Sequence, residues 1–274
     1  MQFTINKSVT ATIHQANSTE AFLLCLGSLL SQSVLPFRIE VLLQQESVGL
    51  NNFYFNQLAA LARIKGVELF VSVAQPLPFA RLVGNVLRSG KLQWLVDDDC
   101  IYDPDCLANL LKAYHSVVQT SSKVGFIQGA KADVTNIRGY SDFSSGIKSS
   151  SEAAESFYFY RNDNSNYYPE TCFMDSGNVL LPPFPTMLTS RLEAEIEKCE
   201  TSGYGFDTVV GLLLFSNLYP GFLCREAQAI HLEKPKPNFS LMPLRRKLAL
   251  NFCTDHKVSS DFANRILNLT KNWK

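Results

Sequence analysis

The sequence predicts an α/β protein: a mostly parallel sheet flanked by helices, with a small helical extension at its C-terminal end. Two observations carry this. Strand-like and helix-like segments alternate four times through the first half of the 274 residues, as expected of parallel strands joined by crossover helices. Residues 241–274 then repeat their apolar positions at helical spacing, with a break near Asp255.

The elements follow in order. Residues 8–14 are β-branched and apolar and read as a buried strand. Asn17 and Glu20 have the spacing of a capping box, and Phe22, Cys25, Leu26, Leu29 and Leu30 then share one helical face. Residues 39–43 make a second strand. Leu58, Leu61 and Ile64 mark a second helix, closed by Gly66 as a C-cap. A third strand covers 67–74 and a third helix 80–88, and Gly90 precedes a fourth strand at 92–96. Pro104 and Asp105 open a helix to about residue 116, with proline early and acid in the first turn. Residues 124–128 read as a fifth strand. Right-handed crossovers place the C-terminal strand ends on one edge of the sheet, where ligands bind. From 133 to 170 the composition turns to Ser, Asn and Tyr, which predicts a long mobile excursion. Regular structure resumes over 172–181. Helices follow through Leu188, Leu192 and Ile196 and over 206–215, and short strands surround Leu223 and Ile230.

Lys and Arg number 25, as do Asp and Glu, giving a formal net charge of +0. That removes the global positive field of a dedicated nucleic-acid binder. The seven cysteines (Cys25, Cys100, Cys106, Cys172, Cys199, Cys224, Cys253) are scattered and include no Cys-x-x-Cys pair. They signal neither a zinc site nor a disulfide framework, and they suit a reducing compartment. No basic stretch leads into an apolar core at the start. The longest apolar run, 21–30, is half the ~20 residues a bilayer span needs. The expectation is a soluble, cytoplasmic protein.

Four features carry chemistry. Asp97-Asp98-Asp99 follows the fourth strand directly, and three adjacent carboxylates need a counter-charge if enclosed. At the mouth of a parallel sheet a hard divalent cation on a diphosphate supplies one; the bland alternative is a solvated acidic turn. Arg81, at the start of the third helix, has the forked donor geometry for a phosphate, or it is a surface arginine. Asp207, after Gly203 and Gly205 at a helix start, suits a general base or a simple N-cap. His231 ends a short apolar strand; such a residue is more often structural, and the carboxylates are what make it a candidate ligand.

In this order and at these separations the four resemble the family 2 glycosyltransferases of GT-A (Rossmann-like) fold, over most of the chain from Val9 to His231. Arg81-Leu82-Val83-Gly84 is similar to that family's Arg-Asn-x-Gly segment. Trp94 to Asp99 looks like the strand carrying its Asp-x-Asp, Ser176-Gly177-Asn178 like its acceptor-side turn, and Phe206-Asp207 like its Glu-Asp pair. The resemblance implies an inverting transferase that moves a sugar from a nucleotide-sugar donor, UDP-linked first, to a hydroxyl of a glycan or lipid-linked acceptor, as in polysaccharide biosynthesis. It implies Mn²⁺ or Mg²⁺ held by Asp99 and His231, with Asp207 as base. Donor contacts would fall to His14, Gln45, Glu46, Arg81, Asp97 and Asp98, and acceptor-side positions to Gly177 and Asn178. The transferase domain would span 1–235, with a nucleotide-binding half at 1–131, an acceptor half at 132–235 and a helical tail at 236–274.

The departures fall on the donor side. Gln44-Gln45-Glu46-Ser47 stands where the family has Asp-Asp-Gly-Ser, His14 replaces a proline, and Leu82 and Phe206 replace an Asn and an acid. The altered base-reading segment motivates an alternative, a catalytically inactive GT-A-like module that binds a nucleotide or glycan. A nucleotidyltransferase fits least, since no glycine lies between Ala11 and Asn17. Tyr158, Tyr160, Tyr167 and Tyr168 suit sugar stacking or packing. The basic stretch 243–248 suits a peripheral contact with the inner face of a membrane, or a solvated helix face.

Overall fold

The computed structural model describes residues 3–15, 19–43, 53–73, 90–121, 123–133, 168, 170–172, 174–199, 206–232 and 241–269. Strands are β1 (Thr4–Gln15), β2 (Val34–Leu43), β3 (Glu68–Val73), β4 (Leu92–Asp97), β5 (Cys100–Tyr102), β6 (Phe126–Asp133), β7 (Glu170–Thr171), β8 (Asn178–Leu181) and β9 (Gly221–His231). Helices are α1 (Thr19–Leu30), α2 (Phe53–Lys65), α3 (Cys106–Thr120), α4 (Thr186–Cys199), α5 (Phe206–Ser216), α6 (Leu241–Asp255) and α7 (Ser260–Leu269).

One sheet runs in the order β3-β2-β1-β4-β8-β6-β9-β5, with β7 added beside β9. β1 pairs in parallel with β2 and β4, β2 with β3, and β6 with β9, whereas β5, β7 and β8 run the other way. The expected α/β architecture is present, and the second half departs from simple crossover winding. Two apolar layers flank the sheet. Phe22, Leu26, Leu29 and Leu30 of α1 and Leu107 and Leu110 of α3 pack with Ile13 and Trp94 on one side. Leu192 of α4, Val210 and Leu213 of α5, Phe252 of α6 and Ile266 of α7 pack with Leu95 and Val179 on the other. The tail helices are therefore part of a shared core.

Three readings are corrected. β6 continues to Asp133, beyond the expected end at 128, because Gly129 and Ala130 sit in a ladder with β9 despite their low strand preference. The two short strands around Leu223 and Ile230 are one strand of 11 residues, β9, with a bulge: Gly129 and Ala130 face Cys224 and Gln228 in succession. β5 went unread, since three residues after an acidic turn carry no period. The third helix at 80–88, Asn17, Tyr158, Tyr160, Tyr167 and most of the excursion at 133–170 lie outside the described residues. Tyr168 is buried in the core among α1- and α3-side residues, so it packs rather than presenting a ring to a sugar.

Gly66 closes α2 as expected. Its N–H donates to the Arg63 carbonyl at 3.1 Å, and the Val67 N–H donates to that of Ala62 at 2.9 Å, a Schellman pair. Its φ is +75°, and a Cβ there would lie 3.2 Å from Ile5 Cδ1. Gly66→Ala is expected to cost about 1–2 kcal/mol from left-handed strain, seen as a lower urea midpoint at unchanged m-value. Among the described residues no helix is long and apolar enough to cross a membrane.

Candidate functional site

β4 is buried from Leu92 to Val96 because it lies mid-sheet between β1 and β8. The chain turns through Asp98 and Asp99 and returns as β5 along β9, with Cys100 opposite His231. The Leu232 N–H donates to the Asp99 carbonyl at 2.8 Å, which ties the turn to the end of β9. Asp98 and Asp99 are only 3% and 4% exposed, so this is no solvated acidic turn. His231 Nε2 lies 3.2 Å from Asp99 Oδ2, so two of the candidates from distant parts of the sequence meet.

Asp97 turns to another partner. Lys131 Nζ donates to Asp97 Oδ2 at 3.1 Å and to Asp175 Oδ1 at 3.0 Å. Asp175 Oδ1 also accepts the Gly177 N–H at 2.9 Å, and the Asp175 N–H donates to Gln128 Oε1 at 2.8 Å. The buried Tyr102 hydroxyl donates to the Gly177 carbonyl and accepts the Asp97 N–H at 3.0 Å. A Cβ at Gly177 would overlap the Asp97 carboxylate and lie 2.7 Å from Lys131 Nζ, so a side chain there would push these two groups from their present places. Burial pushes the Asp97 carboxyl above its ordinary range; Lys131 opposes the rise, and Asp175 and Asp99 add to it. For Lys131 burial disfavours the charge, but Asp175 and Asp97 outweigh it and hold the amine well above the usual range, protonated at neutral pH.

Ligand atoms of Asp97, Asp99 and Cys100 lie within 4.8 Å of one another. Burial, foremost, pushes the Cys100 thiol well up, so it is protonated, and sulfur is in any case a poor ligand for Mg²⁺ or Mn²⁺. Asp99 and His231 fit such an ion better. Two ligands at right angles on bonds of about 2.1 Å stand about 3 Å apart, near the 3.2 Å observed.

Asn178 is fully buried. Its Nδ2 donates to the carbonyls of Ala130 (3.3 Å) and Ala227 (3.0 Å), and its Oδ1 accepts from Trp94 Nε1 (3.1 Å). Its side chain faces the interior, joining β4, β6, β8 and β9. Asp207 lies in the first turn of α5, 7% exposed, and Oδ1 accepts the Thr208 N–H at 2.7 Å. It shares a helix face with Gly211, whose close neighbours are Cys172 and Met174, so that face lies along the segment leading to Asp175 and Gly177. The backbone of His14 pairs with that of Asp97. Arg81, Gln45 and Glu46 lie outside the described residues. Lys131 and Asp175 were missed. A lone lysine past a strand's expected end gives no signal, although an acid two residues before Gly177 could have been weighed.

No protein-family model and no curated protein sequence matches the chain. Solved structures do. A mannosyltransferase, PcManGT from Pyrobaculum calidifontis in complex with GDP-Man and Mn²⁺, superposes with TM-score 0.56 at 11% identity, over 98% of this chain and 70% of that one. S. aureus TarS 1-349 in complex with UDP-GlcNAc gives TM-score 0.54 at 11% identity, over 97% and 72%. The chain has a GT-A glycosyltransferase fold. The longer S. aureus TarS chain is matched over 43% of its length, with TM-score 0.55 and 13% identity. The acidic turn lies directly after β4, at the C-terminal end of that strand.

Proposed function

We propose that the chain is an inverting, metal-assisted glycosyltransferase that takes a sugar from a nucleotide-sugar donor, UDP-linked first, to a hydroxyl of a glycan or lipid-linked acceptor. The observation that carries this reading is the meeting of Asp99 and His231 at 3.2 Å on the strand-end edge of the sheet. Asp99 and His231 hold Mn²⁺ or Mg²⁺, which when bound stabilises charge on the departing diphosphate. Asp97 and Asp98 accept hydroxyls of the donor's ribose or sugar, joined by His14, Gln45, Glu46 and Arg81. Asp207 takes the proton of the acceptor hydroxyl as its oxygen bonds to the anomeric carbon and the nucleoside diphosphate leaves. Gly177 leaves room for the Asp97 clamp beside the acceptor, and Asn178 fixes that turn from beneath. The catalytic domain is 1–235, with 236–274 as a helical extension. The work is done in the cytoplasm, with the 243–248 stretch touching the membrane's inner face where the acceptor is lipid-linked.

Superposable folds were solved with GDP-Man and with UDP-GlcNAc, which makes these the first probes. In a thermal-unfolding screen with and without Mn²⁺, one nucleotide sugar is expected to protect selectively and only with metal. At a hundredfold excess over Kd the gain is about 2.7 kcal/mol. The protecting donor should then turn over with an acceptor. If no nucleotide sugar protects the chain in either condition, the proposal fails.

A further inference from the structure

We infer that Lys131 is a positioning residue that divides the acidic turn, holding Asp97 off the cation so that Asp99 and His231 bind it without a second aspartate. This rests on the reading of Asp99 and His231 as the cation's ligands. Spacing alone does not separate the two aspartates, because the ligand atoms of Asp97, Asp99 and Cys100 fall within 4.8 Å of one another. A divalent ion could bridge both carboxylates were nothing else present.

Lys131 prevents that. It reaches from β6 past β8 to the end of β4, and its ammonium bridges Asp97 and Asp175 at 3.1 and 3.0 Å. The clamp is closely seated. Asp175 is fixed by the Gly177 N–H and by Gln128, and the missing side chain at Gly177 gives the pair its space. An ammonium on the Asp97 carboxylate is a resident positive charge, and a bridging divalent ion would have to displace it or bind against it. At about 5 Å in a water-like dielectric that repulsion corresponds to roughly a tenfold loss in ion affinity. The clamp also holds Asp97 in place as an acceptor for hydroxyls.

The test is Mn²⁺ binding alone, with no nucleotide, followed by the electron paramagnetic resonance of free Mn²⁺. Lys131→Met, checked for native circular dichroism and melting, is expected to bind Mn²⁺ about tenfold tighter than the parent chain. The double variant Lys131→Met, Asp97→Asn should return to the parent affinity. A merely structural lysine would instead weaken binding on removal, and equal or weaker binding by the folded Lys131→Met chain overturns the inference. Should that variant not fold, the isosteric Asp97→Asn decides: it should lose far less Mn²⁺ affinity than Asp99→Asn, and an equal loss overturns the inference. The reading beneath it has its own arm. If Asp99→Asn binds Mn²⁺ as the parent does, the ligand assignment itself falls, whatever Lys131→Met does.

Discussion

Asp207→Asn is expected to lower kcat by about a thousandfold, within the 10²–10⁴ range for loss of a positioned general base, while the donor's KM changes less than about twofold. The substitution is close to isosteric. The Oδ1 atom that accepts the Thr208 N–H at 2.7 Å is retained, so the first turn of α5 keeps its local bond. What goes is the capacity to accept a proton from the acceptor. In the proposed mechanism donor binding rests on residues at the ends of β1 and β4, so it should survive. Steady-state kinetics with the donor found by thermal screening measures both constants. A kcat within tenfold of the parent would remove Asp207 from the mechanism, and a large rise in donor KM at unchanged kcat would place it in donor binding instead.

The second large effect is on stability. Asn178→Ala is expected to destabilise the fold by about 3–5 kcal/mol, since each buried polar group left unpaired costs about 1–3 kcal/mol. Four groups lose a partner: the Trp94 indole N–H, the Cys106 thiol and the carbonyls of Ala130 and Ala227. None can turn to water, because Asn178 and Trp94 are fully buried. Gly129→Ala should produce a similar loss, as its new Cβ would overlap the Asn178 amide and lie 2.7 Å from the Ala227 carbonyl. Urea unfolding of both variants provides the check. A cost below 1 kcal/mol for Asn178→Ala would mean that the strands close around the gap.

The contrast between Asp99 and Lys131 explains how far sequence reading reaches. Three consecutive acids behind an apolar strand are legible because their repulsion demands an explanation, and His231 gains meaning from them. Lys131 demands none locally. Its partners come from β4 and from the turn before β8, 34 and 44 residues away, and only the sheet order β4-β8-β6 brings them together. The same holds for Asn178, whose place in an acceptor-side motif gives no hint that its amide is turned inward. Helices such as α1 and α2 were legible because caps and apolar spacing are local. β5 was not, because what makes Cys100–Tyr102 a strand is β9, more than a hundred residues further on.

The bulge in β9 has a geometric consequence of its own. Between Cys224 and Gln228 the strand advances four residues while β6 advances one, so three residues are surplus. Two of their carbonyls are paired: Asn109 Nδ2 donates to that of Glu226 at 2.9 Å, and Asn178 Nδ2 to that of Ala227 at 3.0 Å. Three is odd, and pleat direction alternates with every residue, so the surplus reverses which side chains look up and which look down for the remainder of the strand. Without it, Gln228 would sit beside Asp133 in place of His231. The three looped-out residues at 225–227 are thus what bring His231 opposite Asp133 and Cys100, at the end of the strand beside Asp99.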